Sequence, residues 1–235
     1  MRLLVAPDAF KGTFRAPQVA AAIGRGIEAA GLEPPDLCPI ADGGAGAIEA
    51  LRDAGGIGAA QVVCLVDVRT PFERAPAVFG PQKGADAAAV KRLERRLERL
   101  ASTLPRDPRG VPMTGAAGGL SGGLWAAFGA RLEPGAPFVL DAVGYDERAR
   151  ASFAVVLGEG RLDDTTLHGK AVFEAATRAR QMGVPAHAVV GQDRLDGFGK
   201  RMLDLQEVLE AGDESGLERA GAELAERLVR ETQPG

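Results

Sequence analysis

An open α/β sheet is the fold class this sequence predicts, and three observations predict it. Short runs near both ends, Leu3–Ala6 and Phe153–Leu157, have the all-apolar pattern of parallel strands covered on both faces. Stretches with apolar residues at helical spacing alternate with such runs, as in Val19, Ala22, Ile23 and Ile27. Glycine-bearing polar turns join the two kinds of segment. Strand C-termini then meet helix N-termini, where open sheets bind ligands.

Taken in order, Arg2 to Pro7 reads as a buried strand ending in Asp8-Ala-Phe-Lys-Gly-Thr13. Asp8 and Lys11 therefore fall at the ligand edge. Ala16 to Ala30 is a helix stopped by Gly31, and Asp36 to Ile40 is a second short strand. Ala41-Asp-Gly-Gly-Ala-Gly46 then opens a helix reaching about Ala54. Gly43 and Gly44 let backbone N–H groups approach an anion, and Asp42 can hold Mg²⁺ or take a hydroxyl proton. The same Asp-Gly-Gly also makes an ordinary turn.

Gln61 to Val68 is a third strand, followed by an irregular stretch through Pro76 and a loop, Val78 to Gly84, that presents Lys83. Asp86 caps a helix from about Ala87 to Thr103, with Val90, Leu93, Leu97 and Leu100 on one face. Its many Lys and Arg side chains read as a solvated, salt-bridged surface rather than a nucleic-acid contact. Leu104 to Pro112 is a loop. Thr114 to Gly123 is the most glycine-dense stretch, and it is neither a Walker A loop nor a dinucleotide fingerprint. Gly115, Gly118 and Gly119 can turn amides toward phosphate oxygens, or the small residues can seat a helix tightly against a neighbour. Gly135 to Ala149 reads as a helix.

The loop from Gly158 to Lys170 concentrates polar chemistry: Glu159, Arg161, Asp163, Thr165, Thr166 and Lys170. Cations, acids and hydroxyls in one strand–loop–helix suit a phosphorylated substrate with a metal. A solvated loop with a helix cap at Asp163 or Thr165 is the structural alternative. A helix from Ala171 to Met182 follows. Pro185 to Val190 is a strand ending in Gly191-Gln-Asp193, Met202 to Leu209 includes another, and Ser215 to about Arg230 is a closing helix.

Composition excludes several classes. A net charge of −4 lacks the basic field of a general nucleic-acid binder, although local cations can still hold a small anion. Cys38 and Cys64 read as buried free thiols, not a disulfide framework. No Cys/His cluster has zinc spacing. His168 lies in the focal loop and His187 inside a strand, and neither is assigned a catalytic role. Leu3–Ala6 is too short for a signal segment or a membrane span, so a cytoplasmic protein with no membrane contact is expected.

The chain resembles the bacterial type I glycerate kinase (glycerate 2-kinase) family. The likeness rests on Ala6-Pro-Asp-Ala-Phe-Lys-Gly12, Ala41-Asp-Gly-Gly44, Val78-Phe-Gly-Pro-Gln-Lys-Gly84, Gly115-Ala-Ala-Gly-Gly119, Leu140-Asp-Ala-Val-Gly144, and Gly158-Glu-Gly-Arg-Leu-Asp163 with Gly169-Lys170. It implies a flavodoxin-like domain built from both chain ends, residues 1–56 and 114–235, with an inserted α/β domain reduced here to residues 57–113. It also implies ATP- and Mg²⁺-dependent phosphorylation of D-glycerate or a similar hydroxy acid.

On that basis Lys11 and Arg161 would hold the substrate carboxylate or phosphates, and Asp42 would be base or metal ligand. Gly115 to Gly119 would offer amides to the nucleotide. Asp8, Gly43, Gly44 and Lys83 would complete the binding edge. Glu159 and Asp163 would hold Mg²⁺ or orient Arg161, and Lys170 would neutralise developing charge. The chain departs from the family in lacking most of the inserted domain and in carrying Ala45 and Ala47 after the Asp-Gly-Gly block. An alternative is a catalytically impaired member that binds nucleotide or hydroxy acid, or serves as a partner subunit. The shortened middle also predicts a homodimer that covers the surface a truncated cleft would expose.

Overall fold

The computed structural model describes residues 2–10, 13–40, 62–168 and 170–232. Lys11, Asp42, Gly43 and Gly44 lie outside the described residues. The chain divides into two compact units, one of residues 1–56 and 136–235 and one of residues 57–135. In order, the elements are β1 (Leu3–Pro7), α1 (Ala16–Ala29), β2 (Asp36–Leu37), β3 (Val63–Val66), α2 (Ala75–Phe79), α3 (Ala87–Ala101), α4 (Ala116–Phe128) and β4 (Arg131–Pro134). There follow α5 (Gly135–Ala142), α6 (Tyr145–Arg150), β5 (Ala154–Glu159), α7 (Ala171–Gln181), β6 (Ala186–Val190), α8 (Gly197–Leu203), β7 (Leu205–Glu210) and α9 (Glu214–Thr232).

The first unit is a five-stranded parallel sheet in the order β2-β1-β5-β6-β7. Counted within the unit this is 2-1-3-4-5, the flavodoxin-like order, with its switch point between β1 and β5. Side chains alternate between the two faces. Leu3, Val5, Ala154 and Val156 pack with Val19, Ile23 and Ile27 of α1 and Leu217, Leu224 and Leu228 of α9. Leu4, Ala6, Val155 and Leu157 pack on the other side with Leu140, Tyr145, Val172, Ala175 and Leu203. Both strands are buried throughout, as their continuous apolar runs predict. The Tyr145 hydroxyl donates to the Ala175 carbonyl at 2.9 Å, which satisfies the buried phenol.

Helices α1 and α9 lie backbone against backbone. A Cβ on Gly26 would stand 1.8 Å from the Glu218 carbonyl oxygen, and one on Gly221 would stand 2.2 Å from that of Ile23. Arg25 reinforces the contact with ion pairs to Glu214 and Glu218, both at 2.6 Å. On the opposite face Arg178 of α7 bonds Glu174, Asp141 and Asp146, which ties α5 and α6 to α7.

The second unit holds two parallel strands, β3 and β4, with Val63 beside Arg131. Its centre is Phe72, 1% exposed. Cβ atoms on Gly119 and Gly122 would fall 2.7 and 2.6 Å from that ring. The buried Thr114 hydroxyl accepts from the Phe72 N–H at 2.9 Å and lies 2.6 Å from the Val111 carbonyl. Residues 114–135 thus group with this unit, whereas the sequence reading attached them to the sheet.

Other differences are local. The stretch read as irregular and looped contains a 3₁₀ turn, Phe72–Arg74, then α2. Gly135 to Ala149 is two helices, parted at Gly144 with φ +65°. Strand β4 and helix α8 were not anticipated. The ion pairs expected along α3 are absent among the described residues; Glu98 pairs instead with Arg109, beyond the helix. Asp86 caps α3 as expected, accepting from the Ala89 N–H at 2.6 Å. No helix among the described residues is long and apolar enough to cross a membrane.

Because α1 and α9 leave no room for a methyl group, Gly26→Ala forces the helices apart. Urea unfolding should show a loss of about 1–3 kcal/mol. An unchanged midpoint would show that the helix pair yields.

Candidate active site

The C-terminal ends of four neighbouring strands meet in one cavity of about 450 Å³ within the first unit. Asp8 and Phe10 follow β1, Glu159 to Asp163 leave β5, Gly191 and Gln192 follow β6, and Ala211 and Gly212 follow β7. Glycines bring these crossings close. A Cβ on Gly191 would meet the Gly160 carbonyl at 2.5 Å, and one on Gly158 would meet that of Val189 at 2.8 Å. The Leu162 N–H donates to the Gln192 carbonyl and the Arg194 N–H to that of Leu162, so the loops after β5 and β6 are stitched together.

Glu159 is the last residue of β5 and is 6% exposed. A carboxylate buried this deeply needs partners. Its Oε1 accepts from the Thr166 hydroxyl at 2.6 Å, and its Oε2 from the Lys170 Nζ at 3.2 Å. Thr166, fully buried, in turn accepts from the Asp163 N–H at 3.2 Å. Burial raises the Glu159 carboxyl above its ordinary range, and the bonds from Thr166 and Lys170 oppose that rise.

Asp163 sits at the head of the 3₁₀ turn Asp164–His168 and accepts from the Thr165 N–H at 2.9 Å. Its other oxygen accepts from the Arg161 Nε at 2.6 Å. Bonds from Thr165, then Arg161, hold its carboxyl below the usual range. The capping reading and the charged-site reading of this loop therefore describe the same residues. The Asp8 Oδ1 accepts from the Ala9 N–H at 2.6 Å.

Of the residues expected to form the site, the structure gathers Asp8, Glu159, Arg161, Asp163 and Lys170 around one cavity. Lys83, Gly115, Gly118 and Gly119 belong to the second unit. Lys83 is exposed at the end of a 3₁₀ turn. The Gly115 N–H donates to the Thr70 carbonyl and the Gly119 N–H to that of Gly115, so both amides are already engaged. Gly118, at φ +71°, has open space where a Cβ would stand. Sequence reasoning did not single out Phe10, Thr13, Gln192 or Gly212 as lining residues. The rule that places ligands beyond strand C-termini could have found Gln192, directly after β6.

The donors at the cavity are carboxylate, hydroxyl and amide oxygens with two cations, a hard set suited to Mg²⁺ and phosphate. No group of three or more Asp, Glu, His or Cys side chains among the described residues is arranged to hold a metal. Magnesium commonly takes one or two protein carboxylates and completes its shell with phosphate and water oxygens, so these residues fit it.

The glycerate kinase family profile matches residues 3–62 and 56–233, and the chain belongs to that family. It is 36% identical over 183 residues to a glycerate kinase of Halalkalibacterium halodurans, a match covering 70% of this chain and 48% of that one. It is 34% identical over 138 residues to the glycerate 2-kinase of Escherichia coli K12, covering 56% and 36%. The chain spans about half the length of the first of these relatives. A crystal structure from Salmonella typhimurium LT2, assigned provisionally as a glycerate kinase 2, covers all of both chains with a TM-score of 0.79 at 22% identity. That likeness shows the fold.

A buried carboxyl whose pKa is raised from 4.5 contributes stability at low pH that is lost as pH rises through the folded value. Wild type should therefore lose stability relative to Glu159→Gln between pH 4.5 and 7. Urea melts at the two pH values check this, and a difference independent of pH would contradict it.

Proposed function

We propose that this chain phosphorylates D-glycerate, or a closely similar hydroxy acid, with ATP as donor and Mg²⁺ as cofactor. The observation that carries the reading is the convergence of Arg161, Lys170, Asp8 and Asp163 on one cavity at the sheet's switch point, in a member of the glycerate kinase family. In the reaction the alcohol oxygen bonds the γ-phosphorus, the phosphorus–oxygen bond to ADP breaks, and the hydroxyl proton passes to a base. Catalysis of such a transfer is mostly positioning and charge stabilisation.

Lys170, held by Glu159, is assigned to the phosphoryl oxygens, where an anchored cation meets growing charge with little reorganisation. Arg161, more exposed and tied to Asp163, is assigned to the substrate carboxylate, which its planar fork suits. Asp163 is better placed than Glu159 to reach a metal, since its side chain is 16% exposed against 7%. Magnesium, when bound, would neutralise phosphate charge. Lys11 and Asp42, outside the described residues, keep their proposed roles as substrate cation and as base or metal ligand. Gly118 remains the backbone candidate for a nucleotide phosphate. A cytoplasmic setting and a homodimer complete the proposal.

The chain's span of half its relatives' length favours a second reading, a member that binds nucleotide or hydroxy acid without turnover, or acts as a partner subunit. A coupled ADP-release assay with ATP, Mg²⁺ and D-glycerate separates the two. The kinase reading expects glycerate-dependent release, with Lys170→Ala and Arg161→Ala each lowering kcat/KM about 10²-fold or more, roughly 2.7 kcal/mol. Calorimetric binding without phosphoglycerate at high protein concentration would install the second reading. Release that ignores both substitutions would overturn the site.

A further inference from the structure

The second unit carries eleven Lys and Arg against seven Asp and Glu, a net +4, while the rest of the chain is −8. The excess is concentrated on α3. Arg92, Arg95, Arg96 and Arg99 fall on one side of this 15-residue helix and, with Glu98, line a depression of about 520 Å³. None of the four has an ion-pair partner among the described residues. The carboxylate of Glu98 is drawn off by Arg109, whose guanidinium also bonds Asp107. Like charges stand at i,i+4 in Lys91/Arg95, Arg92/Arg96 and Arg95/Arg99, a spacing that weakens a helix. An ordinary solvated face places acids at those positions instead.

We propose that the Arg92–Arg99 face of α3 binds a small anion carrying several phosphate groups, through residues other than those that line the sheet-edge cavity. Guanidinium forks match phosphate oxygens in geometry as well as charge. The four guanidinium groups frame one open depression on the helix surface. A net charge of −4 lacks the broad basic field an extended nucleic acid needs. A lipid surface is disfavoured because the helix has little apolar surface to insert. Ala101 is buried, Val90 and Leu97 are half-buried, and Leu93 and Leu100 are 40% and 44% exposed.

Calorimetric titration of the full chain with sodium tripolyphosphate, at about 0.15 M salt where weak surface pairing is screened, tests the site. Wild type should show a saturable site that persists in Lys170→Ala, where the sheet-edge cavity has lost its phosphoryl cation, and that R92Q/R96Q weakens at least tenfold. The melting temperature of R92Q/R96Q should be no lower than wild type, because a like-charged pair is gone. R95Q/R99Q, titrated the same way, keeps the test sound should the first pair misfold. Absence of saturable binding, binding equal in all variants, or binding lost in Lys170→Ala would overturn the proposal. So would capture on phosphatidylserine vesicles without tripolyphosphate binding, which would make the face a lipid contact.

Discussion

A charged carboxylate at the end of a fully buried strand is the constraint on which the candidate site depends. Glu159 leaves β5 inside the sheet, where an unpaired charge is costly. Its two oxygens are answered by a hydroxyl seven residues on and an ammonium eleven residues on, so the loop between must fold back over the strand end. Thr166 transmits the constraint by accepting from the Asp163 N–H, which sets where Asp163 meets Arg161. One buried charge thereby orders two cations and a second acid at the rim.

The parallel sheet puts that rim where it can serve a ligand. The chain winds from β1 to β2 in one direction and from β5 through β6 to β7 in the other, which opens a crevice above β1 and β5. Glycines at 158 and 191 let the loops cross closely enough to enclose it. In the second unit, glycines at 119 and 122 do a different job, making room for the Phe72 ring. The same residue type serves ligand access in one place and packing in the other.

That ambiguity explains what the sequence could and could not show. Strands β1 and β5 were legible because burial on both faces leaves a continuous apolar run, and β6 because only His187 interrupts one. The Asp86 cap was legible because its chemistry is local. Strand β4, Arg131–Pro134, was not, since two of its four residues are charged and its pairing partner lies near residue 63. Helix α8 contains two glycines, and only Asp196, which accepts from the Gly199 N–H, marks its start. The residues of the 158–170 loop could be named as a group. That Glu159 anchors Lys170 while Asp163 holds Arg161 depends on which side chains are buried, and a loop's residue spacing does not encode burial. Gly115 and Gly119 looked open for anions because a sequence does not reveal which carbonyls already claim their amides.

The interleaved arrangement of the first unit has a consequence for biosynthesis. Leu3 pairs with Ala154, so one side of β1 waits for a partner made about 150 residues later. At ribosomal speeds of about 5–20 residues per second, that wait lasts roughly 8–30 s. During it an apolar N-terminal strand with an unpaired edge stands open to intermolecular pairing.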